Sequence, residues 1–377
     1  MPLVREMFSP YGEVVTYPGR ELTAEHVWDA DVLLVRSVTL VNSSLLEGSR
    51  VKFVGSATIG VDHVDQHYLA QRGIRFANAP GCNANSVVQY VLSVLFTLRP
   101  DWMEQTIGIV GCGNVGGRLY RMLIELGISC RCYDPFLTRE QIPDLVSFND
   151  VLQSDVLCLH TPLSTEGSFP TYHLFDEGVL AQLSSKTLLI NAGRGAVVDN
   201  AALLRLLPDK SWQVALDVWE QEPDIALPLL EQVDIGTPHI AGYSDDGKVN
   251  GTEMIRDAFC AWQGQGVPET ASRPDQPVQV TASYLAQAVL ATYNVAEEDQ
   301  RMRQALLAES TGLVESTGLV ESTGLVESTG LAESTDVPSV FDRLRKTYPQ
   351  RLEFQHYRVG GTPSEQLSRQ LSVLGFS

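Results

Sequence analysis

The chain has 377 residues, which is more than one hydrophobic core normally accommodates, so we expect two or three domains. Acidic residues outnumber basic ones by 46 to 27, and the net charge of −19 argues against a nucleic acid or an anionic membrane as main partner. An anionic small molecule would therefore need local positive charge to bind.

The first residues, MPLVREMFSPYGEVV, lack the basic start, apolar stretch and cleavage site of a secretory signal. The longest apolar run, residues 87–98, is too short to span a bilayer, so we expect a cytoplasmic protein with no membrane partner. Six cysteines occur without a CxxC pair, which predicts reduced thiols rather than disulfides, and no metal site.

Short β-branched runs alternate with helical patterns from Glu13 to about Ala241, as in a parallel sheet wound by helices. A first α/β unit has four predicted strands: EVVTYPG, DVLLVRS, KFVGSA and IRFANAP. Its predicted helices are TAEHVWDA, capped by Thr23, and VDHVDQHYLAQRG, stopped by Gly73. A second unit begins at Thr106 and continues through ISCRCYD, DVLCLHTP, TLLINAG, QVALDVW and VDIGTPHIAG. The apolar run at 87–98 is predicted to be the helix that connects the two units.

The fold class expected is therefore α/β, with two doubly wound parallel-sheet domains and a smaller α+β C-terminal domain. The first domain covers 1–85, with 242–265 returning to it, and the Rossmann domain covers 86–241. A Pro-rich linker at 266–279 leads to the C-terminal domain at 280–377. That domain contains ESTGLV repeats at 309–335, whose period of six builds no amphipathic face. We expect a flexible insertion of duplicated sequence rather than a functional array.

The segment TIGIVGCGNVGGRL places Gly111, Gly113 and Gly116 in a GxGxxG pattern between a predicted strand and a predicted helix, which also contains Asn114 and Val115. Such glycines allow a tight turn, close approach to a pyrophosphate and tight helix packing. Asp134 ends the next strand, 18 residues after Gly116, where a carboxylate can bind the adenosine ribose and repel a 2′-phosphate. NAD is thus preferred over NADP. The alternative is a structural turn followed by a surface aspartate.

Polar residues follow the next predicted strands at the edge where open α/β folds bind ligands. Thr161 could contact the cofactor or merely cap a loop. A lone buried guanidinium is costly, so Arg194 requires either a protein carboxylate or an external anion. His239 is suited to exchange a proton with a substrate hydroxyl, supported by a carboxylate. Singly, His239 could be a core histidine, Glu222 a surface charge and Arg194 a structural ion-pair partner; together they indicate a site.

The segments GIVGCGNVGGRL, HTPL, NAGRGAVVD, DVWEQEP and PHIAG, in this order and spacing, resemble the D-2-hydroxyacid dehydrogenase family. The resemblance implies that Arg194, Glu222 and His239 are catalytic, and it selects Glu222 rather than Glu220 as the partner of the histidine. It further implies NAD contacts at Asp134, Thr161, Asp217 and Gly242. We expect Arg194 to hold a substrate carboxylate.

A narrower resemblance, carried by APGCNANSVVQYV, HIAGYSDDGK and FDRLRKTYPQR, is to members that oxidise 4-phospho-D-erythronate at C2 in pyridoxal 5′-phosphate biosynthesis. It implies substrate contacts at Ser37, Thr58 and Tyr243 and a homodimer formed through the C-terminal domain. The alternatives are a dehydrogenase of glycerate or phosphoglycerate, and a non-catalytic NAD-binding paralogue.

Two features of the narrower resemblance remain open at the sequence level. It implies an opening strand before the first helix, and since the sequence begins near that helix, we expect either that the reading frame is incomplete or that the first sheet has lost a strand. The substrate phosphate requires cations, and Arg36 is one candidate. Arg343, Arg345 and Lys346 are others, with a solvated helix face as the equal alternative.

Overall fold

The computed structural model describes residues 1–268, 277–307 and 336–377. Within these ranges the strands form a three-stranded, a six-stranded and a two-stranded sheet, and all strand pairs are parallel. Helices cover the two larger sheets, so the α/β class expected from the sequence is confirmed.

The first sheet has the order β1-β2-β3 and carries short helices in its connections. Its elements in chain order are α1 (Val4–Phe8), α2 (Ala24–Val27), β1 (Val32–Val35), α3 (Ser43–Leu46), β2 (Phe53–Ser56), α4 (Gln66–Gln71) and β3 (Arg75–Asn78). Thr23 and His26 form a capping box at the start of α2, and Gly73 follows α4 with a φ of 66°. The start of α2 and the end of α4 are therefore explained by the residues predicted from the sequence, Thr23 and Gly73.

The prediction of a strand at EVVTYPG is wrong. Residues 13–18 contain no strand, and Val15 and Tyr17 are 60% and 46% exposed. The Arg5 side chain donates to the Val14 carbonyl at 2.7 Å and to Thr16 Oγ1 at 3.1 Å. Side chains of high β-propensity do not form a strand without a neighbouring strand to pair with.

The second sheet has six strands in the order β5-β4-β6-β7-β8-β9. Its elements are α5 (Ala84–Leu98), β4 (Ile107–Val110), α6 (Asn114–Glu125), β5 (Cys130–Tyr133), α7 (Phe148–Val151), β6 (Val156–Leu159), α8 (Glu177–Ala181), β7 (Leu188–Asn191), α9 (Asn200–Leu206), β8 (Gln213–Leu216), α10 (Leu227–Gln232) and β9 (Ile235–Gly236). Every residue of β4, β6 and β7 is buried, as expected for strands covered on both faces. The strand order reverses at β4, which creates a switch point where ligands bind in such folds.

A long helix, α11 (Asp245–Gln263), returns the chain to the first sheet. The Phe259 ring meets the Phe53 ring of β2 edge to face, with 5.6 Å between centroids. Gly55 leaves room for Ile255, because a Cβ at Gly55 would lie 2.4 Å from its side chain. The contact of α11 with the first sheet is therefore apolar packing.

The C-terminal region contains a two-stranded sheet and four helices in its described residues. They are β10 (Val278–Val280), α12 (Leu285–Thr292), α13 (Val295–Leu306), α14 (Val337–Lys346), β11 (Tyr357–Val359) and α15 (Glu365–Leu374). The expected linker at 266–279 lies partly outside the described residues, and its last two residues belong to β10. The repeats at 309–335 lie wholly outside them. The domain bounds remain predictions.

The C-terminal region packs directly on the Rossmann domain. The Ser93 hydroxyl of α5 donates to the Tyr293 carbonyl and accepts from the Val295 amide, both at 2.9 Å. Leu285 and Val289 belong to the same buried core as the apolar face of α5. The two regions therefore share one hydrophobic core.

The six cysteines, all among the described residues, are buried, and the structure contains no bond between any two of them. Burial raises the pKa of the Cys82 thiol to about 11 and that of Cys130 to about 12, so both stay protonated at neutral pH. No helix among the described residues has both the length and the apolar character needed to cross a bilayer.

Candidate active site

Three polar side chains follow three neighbouring strands of the second sheet. Arg194 comes after β7, Glu222 after β8 and His239 after β9. Because these strands are parallel, their carboxyl ends meet at one edge. The structure brings two of the three into direct contact, since His239 Nδ1 lies 2.7 Å from Glu222 Oε2.

The surroundings of Glu222 keep its carboxylate charged. The Trp219 backbone N–H donates to Oε1 at 2.8 Å. Burial alone would raise the pKa of Glu222, but the charge of His239 and the hydrogen bonds from His239 and Trp219 together lower it below its usual value. The His239 side chain is 33% exposed, so its face away from the carboxylate is open to a ligand.

The backbone of His239 has a φ of 56°, which non-glycine residues rarely adopt, and Asp217 supports it. The His239 N–H donates to the Asp217 carbonyl at 2.7 Å. The buried Asp217 carboxylate accepts from the Thr237 hydroxyl and from the N–H groups of Ile240 and Ala241 at 2.7 to 3.0 Å. Burial raises the pKa of Asp217 despite these bonds and the nearby imidazole. In this arrangement Asp217, which the resemblance assigns to NAD, holds His239 through its carbonyl and the two residues after it through its carboxylate.

Arg194 is paired with a carboxylate of the protein. Its Nε donates to Asp62 Oδ2 at 2.8 Å and its Nη1 to the Gly193 carbonyl at 2.8 Å. A Cβ at Gly60 would lie 1.6 Å from Nη2, so the guanidinium lies directly over that glycine. The sequence left two possible partners for Arg194, a protein carboxylate or an external anion. The structure contains the first of these, the carboxylate of Asp62. Asp62 was missed because 132 residues separate it from Arg194.

The glycine-rich turn after β4 has little room for side chains. Gly111 has a φ of 89°, and a Cβ there would lie 2.8 Å from the Thr161 amide nitrogen. A Cβ at Gly116 would lie 2.0 Å from the Gly111 carbonyl oxygen. A Cβ at Gly113 would meet nothing within 4 Å, so the backbone there is open to a ligand. The helix that follows starts at Asn114 and continues through Val115, with its N-terminus at this opening.

Buried polar atoms beside this turn indicate a ligand. Thr161 Oγ1 and both ring nitrogens of His160 are buried without a hydrogen-bond partner in the described ranges. Burial lowers the pKa of His160 to about 4, so the ring is neutral at pH 7. Asp134 accepts the N–H groups of Cys112 and Phe136, both at 3.0 Å, and retains lone pairs for ribose hydroxyls. These features fit a dinucleotide.

Three cations surround the ring of Tyr243. The charged groups of Arg36, Lys248 and Arg345 lie 5.8, 5.6 and 5.6 Å from its centroid. The Nε atoms of both arginines are buried and unpartnered among the residues described. Lys248 was missed in the sequence, although it belongs to the motif HIAGYSDDGK.

Only one of the basic residues proposed on α14 reaches this cluster. Arg343 and Lys346 are exposed, whereas Arg345 turns toward Tyr243 of the same chain. The positive charge of Arg345 also helps to lower the pKa of Glu222. Its effect is smaller than those of burial, His239 and Trp219. The C-terminal region thus lies next to the Glu222–His239 pair.

The remaining predicted contacts are Ser37, Thr58 and Gly242. Ser37 follows β1 and is exposed. The Thr58 hydroxyl donates to the Gly60 carbonyl at 2.8 Å and pairs with the Ser56 hydroxyl at 2.7 Å, which supports the loop beneath Arg194. The Gly242 carbonyl accepts from Asn83 Nδ2 at 3.3 Å.

Comparison with known proteins identifies the class to which the chain belongs. Residues 95–241 match the family model described as D-isomer specific 2-hydroxyacid dehydrogenase, NAD binding domain, and residues 273–375 match a domain of unknown function, DUF3410. The D-lactate dehydrogenase of Aquifex aeolicus, solved with NAD and lactic acid, shares the fold. It has a TM-score of 0.61, 24% identity, and coverage of 70% of this chain and 92% of that chain. Fold and family match define an NAD-dependent dehydrogenase of the D-isomer-specific 2-hydroxyacid class.

Two curated relatives identify the family within this class of dehydrogenases. The erythronate-4-phosphate dehydrogenase of Cellvibrio japonicus is 49% identical over 100% of this chain and 97% of the relative. That of Teredinibacter turnerae is 42% identical over 100% of this chain and 96% of the relative. The chain belongs to the erythronate-4-phosphate dehydrogenase family. The family resemblance and the NAD cofactor predicted from the sequence are both confirmed.

Proposed function

We propose that this chain oxidises 4-phospho-D-erythronate at C2 to (R)-3-hydroxy-2-oxo-4-phosphobutanoate, a step in pyridoxal 5′-phosphate biosynthesis. The observation that carries the proposal is the charged Glu222 bonded to His239 Nδ1, near the cluster of cations around Tyr243 that includes Arg345. The relatives named for this substrate, which align over the full chain, support the same assignment.

In this mechanism His239 Nε2 takes the proton of the C2 hydroxyl, while Glu222 holds the other ring nitrogen and stabilises the imidazolium. The electron pair left on the oxygen by loss of the proton forms the carbonyl as the C2–H bond breaks. The C2–H electron pair leaves with the hydrogen as hydride, for which bound NAD would be the acceptor. Arg194 would bind the substrate carboxylate, and its Nη2, which lies beside Gly60, makes no hydrogen bond to the described residues. Asp62 and the Gly193 carbonyl hold the guanidinium through Nε and Nη1.

For the cofactor, the residues proposed are the turn from Gly111 to Gly116, with Asp134 on the adenosine ribose. We also propose Thr161, which lies against Gly111, and Gly242 as contacts of the cofactor. Gly113 leaves the backbone open and the N-terminus of α6 suits a pyrophosphate. Asp217 would act mainly on the backbone beside the nicotinamide, since its oxygens already accept three hydrogen bonds.

For the phosphate, we propose Arg36, Lys248 and Arg345, with Ser37, Thr58 and Tyr243 along the rest of the substrate. The chain has a net charge of −19, yet three cations lie around the Tyr243 ring. A bound dianion would stabilise this arrangement because it offsets the repulsion between the cations. The unpartnered Nε atoms of the two arginines give two directed donors.

The test is a steady-state assay of the purified protein with NAD and a panel of acids: 4-phospho-D-erythronate, D-erythronate, D-glycerate and 3-phospho-D-glycerate. We expect the highest kcat/KM with the first. A higher kcat/KM with 3-phospho-D-glycerate would select the alternative substrate. Absence of turnover with every acid, despite NADH binding, would favour a non-catalytic paralogue.

Arg345→Ala tests the phosphate site, with Arg343→Ala on the same helix as control. We expect Arg345→Ala to raise the KM for 4-phospho-D-erythronate at least about tenfold, since a charge-assisted contact of about 1.5–3 kcal/mol is lost. Turnover of unphosphorylated D-erythronate should change little. An equal effect of both substitutions would contradict the assignment.

The assembly proposed is a homodimer through the C-terminal region, acting in the cytoplasm, where free thiols persist. Val278 and Tyr284 of that region are 46% and 62% exposed, which suits an apolar contact. Sedimentation velocity should give twice the mass of 41.4 kDa. Replacing Tyr284 with Glu should lower that mass if the surface is the interface.

A further inference from the structure

His173 lies between two carboxylates near the catalytic loops. Its Nε2 is 2.7 Å from Glu220 Oε1, and its Nδ1 is 3.9 Å from Asp199 Oδ2. All three side chains are about one-quarter exposed or less. The other oxygen of Asp199 accepts the Ala202 N–H at the start of α9, so this cluster is built into the fold.

Glu220 connects two loops of the active site. Its Oε2 accepts the Asn200 N–H, and its own N–H donates to Asn200 Oδ1, both at 3.1 Å. Next to this reciprocal pair, a Cβ at Gly195 would lie 2.0 Å from the Trp219 carbonyl carbon. The loop that carries Arg194 is therefore in direct contact with the loop that carries Glu222.

His173 adds a third segment to this contact. Its backbone N–H donates to the Ala196 carbonyl at 2.8 Å, and the following Phe175 N–H donates to the Val197 carbonyl at 2.9 Å. The imidazole then reaches over to Glu220. One residue thus bonds to the Arg194 loop through its backbone and to the Glu222 loop through its side chain.

We propose that His173 is a positioning residue for the dehydrogenase reaction, acting through Glu220 to fix the Arg194 loop (residues 193–200) against the Glu222 loop (residues 217–222). The spacing between the carboxylate-binding guanidinium and the proton-transferring pair depends on this bond. The expected effect of His173 on kcat rests on the proposed function. Its expected effect on the two loops does not depend on which substrate the enzyme uses.

The backbone conformation of His173 allows its positioning role to be tested without disturbing the fold. Its φ is 50°, a left-handed conformation that glycine adopts freely and other residues rarely adopt. Glycine at this position would suit the backbone and remove only the ring. Glutamine would keep a donor near the position of Nε2 and so retain the bond to Glu220.

The experiment compares His173→Gly and His173→Gln with the wild type, and uses His67→Gln as a control at an exposed histidine of α4. We expect His173→Gly to lower kcat by about ten- to a hundredfold, because small misplacements of reacting groups have effects of this size. His173→Gln should keep kcat within about threefold of the wild type by the same reasoning. The Kd for NADH should stay unchanged in both.

Amide hydrogen exchange provides the second measurement. Residues 193–200 and 217–222 should exchange faster in His173→Gly than in His173→Gln, whether or not 4-phospho-D-erythronate is the substrate. Unchanged exchange in His173→Gly would overturn the inference. Wild-type kcat in His173→Gly would also overturn it. Failure of the wild type to turn over the substrate would instead count against the proposed function, with the exchange data still deciding the role of His173.

Discussion

At the level of single residues, the hydrogen bond between His239 Nδ1 and Glu222 Oε2 determines what the site can do. The carboxylate occupies one ring nitrogen at 2.7 Å and leaves the other for a substrate hydroxyl. The left-handed backbone of His239, supported by Asp217, aims the ring into the cleft. The proton acceptor is thus oriented before any substrate binds.

Replacing His239 with alanine should lower kcat by about 10²- to 10⁴-fold, because the general base is lost. The glycine turn does not contact this side chain, so the Kd for NADH should stay within about twofold. Stopped-flow or steady-state absorbance of NADH measures the first and fluorescence titration the second. Near-wild-type turnover would remove His239 from the proposed role.

Glu222 should make stability depend on pH. Its folded pKa lies below the ordinary value of 4.5, so its charged form stabilises the folded state above that pH, and this contribution is lost as the pH falls through the folded pKa. Glu222→Gln should therefore lower the free energy of unfolding at pH 7 by on the order of 1 kcal/mol. The difference from the wild type should shrink in strong acid. Urea unfolding at pH 7 and below pH 4 checks this, and a difference that grows in acid would contradict it.

At the level of elements, the turn from β4 into α6 shows how closely a strand and a helix must approach. Gly116 sits against the Gly111 carbonyl, whereas Gly113 faces open space. The two glycines therefore serve different purposes, one for packing within the βαβ unit and the other for the approach of a ligand.

Gly116→Ala should destabilise the fold by several kcal/mol or prevent folding, because its methyl group overlaps backbone that cannot move. Gly113→Ala should fold, yet raise the Kd for NADH at least about tenfold by obstructing the cofactor. Thermal unfolding and NADH fluorescence separate the two effects. Gly12→Ala, which also adds a methyl group in open space, serves as the control. Normal NADH binding by Gly113→Ala would place the cofactor elsewhere.

At the level of the whole molecule, the C-terminal region contributes both to the core and to the site. Met302 and Leu306 of α13 and Val340 and Phe341 of α14 are buried together in the core on the other face of the Rossmann sheet. Arg345, at the end of α14, reaches Tyr243. The packing of α14 therefore places a charge near the catalytic pair.

Removing residues 309–332, the four hexapeptides, should leave activity intact. The apolar residues that flank this tract are already packed in one core, and no described contact of the site depends on it. We expect kcat and KM to stay within about twofold and the Tm within about 2 °C of the full chain, because shortening a connection changes its closure entropy only slightly. A large loss of turnover with a normal Tm would show that the repeat has a function of its own.

Much of this architecture follows from local sequence. Short, mainly apolar runs form β4, β6 and β7, and Gly73 ends α4, because these patterns act through neighbouring residues. Placing Arg194, Glu222 and His239 after consecutive strands needed only the chain order and the rule that parallel strands share an edge. The false strand at EVVTYPG marks the limit, since pairing requires a partner that propensity does not supply.

The amino-acid sequence by itself determined the α/β class, the dinucleotide turn and the identity of the charged residues at the strand ends. Only the tertiary structure decided which charges meet: Arg194 with Asp62, His173 with Glu220, and Arg36, Lys248 and Arg345 around Tyr243. The physical reason is the separation along the chain of the residues that interact. Backbone conformation and burial patterns depend on residues a few positions apart, whereas these contacts join side chains tens to hundreds of residues apart, which meet only when sheets and helices pack.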